Sequence, residues 1–206
     1  MARAAGAARA VAAVAAVVAA IVSANGGNDS NGSTKASGAN VPIPARKIAD
    51  FNQAVKAAGC IYRSYPSEGR THLPSDTATF DKYKTNPPTS GTHRPTPAEE
   101  GIYEPNNPPA KENAVHALEH GRIEIEYKPG TSKQVQDQLQ TLFNEKVKGA
   151  EGYHELLFQN NTNMPYAVAA VAWTQLLGCK TMNPQVFDAI RAFRERFVDK
   201  GPELIP

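Results

Sequence analysis

Cysteine is scarce: the 206 residues contain two, Cys60 and Cys179. With so few there is no CxxC redox or zinc motif. Charge of one sign is lacking as well. Lys+Arg and Asp+Glu number 22 and 20, and without Arg3 and Arg9, in residues 1–24, the balance is 20 against 20. A neutral chain has no electrostatic pull toward nucleic acid or acidic lipid, so no nucleic-acid partner is expected. No long apolar run is present. Ala10–Val22 is thirteen residues, which rise about 20 Å as a helix against a hydrocarbon core of about 30 Å. No internal repeat is visible. What is there suffices for about one domain: 41% hydrophobic and 20% charged residues, too apolar a mixture for a disordered chain. Fifteen Gly and sixteen Pro promise many turns.

The N-terminus carries an address. Met1 to Arg9 holds two arginines and no acid, the apolar run follows, and Val22-Ser23-Ala24 offers small residues for cleavage. Residues 1–24 therefore read as a signal peptide. An uncleaved N-terminal anchor is the alternative, and an organelle transit peptide a third. Any membrane contact is expected through this segment alone. Residues 25–43 are rich in Asn, Gly and Ser and read as a flexible linker, leaving 44–206 as a single globular domain. Asn28, Asn31 and Asn160 each open an N-x-[ST] sequon, expected at the surface. The expected location is secreted, or extracytoplasmic and membrane-anchored. In such an oxidising compartment an even cysteine count suggests a bridge, and Cys60–Cys179 is the one intramolecular pairing available; two buried free thiols are the alternative.

Periodicity outlines the domain. Ile48, Phe51, Val55 and Ala58 recur at helical spacing over Pro44 to Ala58, with Gly59 as the stop. Residues 62–112 hold more than half of the prolines and no lasting period; so long an irregular stretch is functional or disordered. Ala114 to His120 reads as a short helix or turn. Arg122 to Tyr127 alternates, predicting a half-buried strand with Glu124 and Glu126 on a solvated face. A helix follows from Thr131, with Gln134 completing a capping box. Leu156 to Gln159 is a short strand, and Ala167 to Trp173 a central one buried on both faces. Asn183 and Pro184 open a last helix, with Arg191, Arg194 and Arg196 on its solvated side. The sum is an α+β fold: one small, mostly antiparallel sheet with helices packed on it and a long proline-rich irregular segment.

Histidines are the candidate chemistry. His116 and His120 are spaced i, i+4, which on a helix puts both imidazoles on one face about 6 Å apart. With Glu119 between them, H-A-L-E-H matches the inverted zinc-protease pattern, with Glu119 as base. That chemistry needs a further acidic ligand, for which Glu155 or Glu195 is available.

The segments Pro87-Pro-Thr-Ser-Gly-Thr-His93, Gly101-Ile-Tyr103, Val115-His-Ala-Leu-Glu-His-Gly121 and Ala172-Trp173 with Cys179 nearby carry a resemblance. Over roughly residues 45–204 the chain resembles the DUF3105 family of exported or membrane-tethered proteins of unknown function. A eukaryotic branch of that family resembles the p53-inducible membrane protein. The resemblance implies no reaction; His72 and Cys60 also fit its pattern.

Beside the resemblance stands the reading of the residues. His72, His93, His116 and His120 lie in or beside the irregular segment, and three or four imidazoles suit zinc, copper or nickel. His93, His116 and His120 are the expected ligands, His72 a fourth, and Met164 a soft outsider. Ser90 is no nucleophile elbow and reads as a turn serine. Tyr83 and Tyr103 read as packing residues, and Trp173 as core. Three functions compete. The first is an extracytoplasmic domain of no assigned activity that binds a transition metal such as zinc or copper. The second is a metal-dependent hydrolase using Glu119. The third is an envelope or cell-surface interaction module, its protein partner unknown, that works through the proline-rich loop.

Overall fold

The computed structural model describes residues 41–203 together with Met1, Ser33–Thr34 and Ile205. The expected signal segment and most of the expected linker, including the sequons at Asn28 and Asn31, lie outside the described residues. One compact unit, Asn31–Pro206, holds all the described helices and strands. Among the described residues no helix is long and apolar enough to cross a membrane.

In chain order the elements begin with β1 (Ser33–Thr34), α1 (Phe51–Ala58), β2 (Ile61–Ser64), β3 (Gly101–Tyr103), α2 (Lys111–Glu119) and β4 (Ile123–Tyr127). They continue with α3 (Lys133–Phe143), a hairpin of β5 (Lys146–Val147) and β6 (Ala150–Glu151), β7 (Glu155–Gln159), β8 (Val168–Ala172), β9 (Gln175–Cys179) and α4 (Pro184–Phe197). The fold is α+β. One sheet runs β1-β3-β7-β4-β8-β9-β2. It is antiparallel except where β7 lies parallel between β3 and β4. The parallel pairings arise because α2, and then α3 with the hairpin, carry the chain back over the sheet before the next strand is laid down.

Both faces of the sheet are covered. On one, Ile123, Ile125 and Tyr127 of β4, Leu157 of β7 and Leu177 of β9 pack with Phe51 and Ala54 of α1, Leu139 and Leu142 of α3, and Ile190 and Phe193 of α4. Cys60 and Cys179 join in a disulfide at this face, where β2 pairs with β9. It closes a loop of 119 residues, which in the chain-entropy account stabilises by roughly 5 kcal/mol. On the other face, Val115 and Leu118 of α2 pack with Met164, Ala169, Val171, Trp173 and Leu176. Ala114 and Ala117 of the same helix meet Ala98, Tyr103, Leu156 and Phe158.

The second layer overturns three expectations. Glu124 and Glu126 are not solvated: they are buried beneath α2, because the strand that carries them is central and both its faces are covered. Burial, with Glu126 beside it, pushes the Glu124 carboxyl well up. Burial likewise raises Glu126 to about 7, although Asn160 Nδ2 donates to its Oε2 at 2.6 Å. Asn160 is thus buried rather than a surface sequon. The stretch 62–112 is also less irregular than its prolines suggest. It contains β3 and all but the first residue of β2, and the rest is fastened by polar bonds to the start of α2. Glu112 Oε1 accepts from Phe80 N at 2.9 Å, and Asn113 accepts from Arg94 and donates to the Thr96 carbonyl.

Elsewhere the differences are local. α1 starts at Phe51 rather than Pro44, because Asp50 accepts from Gln53 N and caps it there. α3 is capped by Ser132, one residue later than expected, and Thr131 instead donates to the Lys128 carbonyl, so no capping box forms with Gln134. Arg191 and Arg194 are buried, not solvated. They pair with Glu145, and Arg194 reaches Glu155 at 3.2 Å. Arg196 is exposed and lies over the Phe51 ring.

Candidate metal centre

α2 has three faces, and three neighbours claim them. Val115 and Leu118 pack into one core cluster, and Ala114 and Ala117 into another. The third stripe, His116, Glu119 and His120 at i, i+3, i+4, is left for the proline-rich segment. That segment delivers two more imidazoles. Leu73 N donates to the His93 carbonyl at 2.6 Å and His93 N to the Thr71 carbonyl at 3.0 Å, a strand-like bridge that sets His72 beside His93.

The Pro-Pro-Thr-Ser-Gly motif explains how His93 is held. Residues 87–91 are buried, Ser90 Oγ accepts from Glu68 N, and Thr174 N donates to the Thr89 carbonyl. Ser90 bonds backbone, as expected of it, but the amide it accepts from is that of Glu68 rather than one in its own turn. Gly91 has φ 125°, and a Cβ there would lie 3.2 Å from the Tyr83 ring. Tyr83 in turn donates to the Thr92 carbonyl at 2.6 Å.

The rings converge. Centroids of His72, His93 and His116 are 4.7–5.0 Å apart, and those of His116 and His120 are 4.5 Å apart. Two of the tautomers are set by the backbone. His93 Nδ1 meets the Gly91 carbonyl at 2.8 Å and His116 Nδ1 the Arg94 carbonyl at 2.7 Å. A carbonyl can only accept, so Nδ1 carries the proton and each Nε2 presents a lone pair, the usual arrangement behind a ligating histidine. His93 Nε2 is fully buried and has no hydrogen-bond partner; Glu119 Oε2 is 3.0 Å away but out of hydrogen-bonding alignment. His116 Nε2 lies 3.0 Å from His120 Nε2. Burial lowers the pKa of His93, His116 and His120, keeping them neutral, and raises that of Glu119, with Glu203 adding to the rise.

Donor atoms of His72, His93, His116 and Glu119 all lie within 4.8 Å of one another, as do those of Glu119, His120 and Glu203. This His/Glu cluster can hold a metal ion. His72 is exposed at its rim and the rest of the first group is buried. Glu203 went unnoticed in the sequence because nothing local marks it. It is brought in by the chain after α4, where Asp199 N donates to the Gly121 carbonyl and Glu203 N to the Glu119 carbonyl. Gly121 permits this crossing: a Cβ there would stand 2.8 Å from Asp199 Cα. The two glycines Gly121 and Gly201 meet back to back, an approach that only the fold reveals.

Other candidates lie elsewhere. Met164 is buried in the apolar cluster under α2. Glu155 pairs with Arg194 and Glu195 with Arg46, so neither is the further acid near Glu119. Tyr103 donates to the Glu99 carbonyl, and Trp173 sits edge-on to His93 at 6.4 Å. His154 bonds Asp199 at 2.6 Å. A shallow cavity of about 280 Å³, lined by Arg70, His72, Glu119 and Glu203, opens on the cluster. Two larger clefts, about 490 and 520 Å³, are lined by none of its residues.

A family model described as protein of unknown function (DUF3105) matches residues 75–204. The match contains His93, His116, Glu119, His120 and Glu203 and begins after Cys60 and His72. No curated protein and no solved structure matches the chain.

Proposed function

This chain belongs to the DUF3105 family, and from that premise we propose that it is an extracytoplasmic domain that binds a transition metal through His72, His93, His116 and Glu119. The observation that carries the reading is His93 Nε2. It is a lone pair fully buried among other donors, with no hydrogen bond to offset its burial. Leaving such an atom unsatisfied costs roughly 1–3 kcal/mol, and a metal ion would remove that cost. Imidazole nitrogen with one carboxylate suits zinc or copper. The oxidising setting that a disulfide implies, and the export-like first 24 residues, support a place outside the cytoplasm, with membrane contact confined to the N-terminal segment.

The test is metal analysis of full-length chain made without a polyhistidine tag and equilibrated with zinc or copper. Wild type retains metal after desalting, and His93→Ala and His116→Ala lose at least tenfold in affinity. Empty wild-type protein, or equal loading in all three, overturns the reading.

The cavity at the cluster favours a second reading, a metal-dependent hydrolase. In that case Glu119 works as a free base instead of a ligand, since a carboxylate committed to metal is not available to take a proton. Glu119→Gln would then keep its metal and lose hydrolysis of a model ester. Loss of metal from this variant favours the binding role.

A further inference from the structure

The donors around the end of α2 are too many for one ion. A structural zinc takes four, and two donors at 2.0–2.2 Å from the same ion are at most about 4.4 Å apart. Six stand here, four imidazoles and two carboxylates. They fall into two mutually close groups instead of one. Glu119 alone belongs to both. Its oxygens have different neighbours: Oε2 lies 3.0 Å from His93 Nε2, while Oε1 is 3.6 Å from Arg70 Nε. His120 Nε2 lies 3.0 Å from His116 Nε2 and 4.0 Å from Glu203 Oε2.

We infer that the site takes two transition-metal ions, the first held by His72, His93 and His116, the second by His120 and Glu203, with the Glu119 carboxylate shared between them. This rests on the metal-binding reading above. Four features support it. Adjacent cations repel, and a shared carboxylate with Glu203 beside it supplies negative charge where that repulsion is greatest. The second group offers three protein donors, which leaves a coordination position open in the manner of reactive metal sites. That group also lies where the cavity opens, since Glu119 and Glu203 both line it. Finally, the glycine crossing is built to bring Glu203 to this point: its backbone N–H is tied to the Glu119 carbonyl at 3.1 Å.

The experiment counts zinc. Full-length, untagged protein is stripped, equilibrated with excess Zn²⁺, desalted and assayed for metal per chain. Wild type is expected to hold two, and Glu203→Gln and His120→Ala one each. Glu203 is exposed, so Glu203→Gln leaves the core intact, and an unchanged circular dichroism spectrum verifies this. One zinc in wild type and one in Glu203→Gln overturns the second ion while leaving the first reading standing. Two in both overturns the assignment of Glu203. None in wild type removes both readings together. Loading with Cu²⁺ gives an independent measure. A carboxylate-bridged pair shows a spin-resonance signal well below its copper content, and Glu203→Gln restores one spin per copper. Two copper ions with full, uncoupled intensity in wild type would overturn the sharing of Glu119.

Discussion

The two faces of the sheet are buried by different means. The face under α1, α3 and α4 is lined by aliphatic and aromatic side chains, buries Glu155 paired with Arg194 of α4, and is closed at one edge by the disulfide. The face under α2 buries Glu124 and Glu126, the latter bonded by the Asn160 amide, and lies beneath the helix that presents His116, Glu119 and His120. Regular packing covers the first face. The second is covered by one short helix and a strap whose order comes from side chain to backbone hydrogen bonds, such as Glu112 to Phe80 and Tyr83 to Thr92. The disulfide lies on one side, and the candidate chemistry on the other. A strap without repeating structure can place a histidine wherever its local bonds permit, which a strand, with its fixed side-chain alternation, cannot do.

This contrast can be broken or sharpened by experiment. The largest effect is expected from Cys60→Ser/Cys179→Ser, which removes roughly 5 kcal/mol in urea unfolding while the folded fraction keeps its metal content. Next come two core truncations. Phe193→Ala, on the first face, costs about 3–5 kcal/mol, and Leu118→Ala, on the second, about 2–5 kcal/mol. Calorimetry should find them comparable. Metal titration should separate them, with loading weakened in Leu118→Ala alone. Equal loading in both would mean that the helix is not the frame of the site.

A pH effect comes third. Glu126 titrates near 7 in the fold against an ordinary 4.5, and Glu124 is raised as well. Below pH 4.5 both states are protonated and the pair contributes nothing. Above it the unfolded chain ionises first, so stability falls as pH rises toward 7, by up to about 1.4 kcal/mol per pH unit for each proton. Lys111 lines the same small cavity and pairs with Asp81. Glu124→Gln/Glu126→Gln should flatten the slope between pH 5 and 7 in denaturant midpoints. An unchanged slope would show that the pair is ionised in the fold. The smallest effect is Ser132→Ala on α3, about 1 kcal/mol from the lost cap, with metal content untouched.

Local signals were legible in part: the caps of α1 and α3 fall at Asp50 and Ser132 instead of where Pro44 and Thr131 pointed. α4 begins at the Asn183-Pro184 pair as its cap and first turn require. β8 lies between β4 and β9, as an unbroken apolar run implies. The strands that escaped notice are β1, β2, β3, β5, β6 and β9: the first five have two to four residues, too few for a period, and β9, QLLGC, has no alternation and a glycine within it. Alternation in β4 was visible, but whether its glutamates meet water depends on α2, which only the fold places there. The same holds for Arg191 and Arg194, whose partners Glu145 and Glu155 are remote in sequence. In the candidate site, His116 and His120 were readable because helical spacing is a local property. His72 took its place beside His93 through backbone bonds across twenty-one residues, and Glu203 came from the far end of the chain.

By itself the amino-acid order determined the α+β class, the bridge between two lone cysteines, and a helix bearing imidazoles on one stripe. Those rest on periodicity, composition and parity, which need no partner segment to be known. Tertiary structure alone decided which donors share a point, which carboxyl groups are shut away from water, and that a glycine crossing admits Glu203. Each of these depends on distances between residues far apart along the chain, and such distances exist only once the layers have packed.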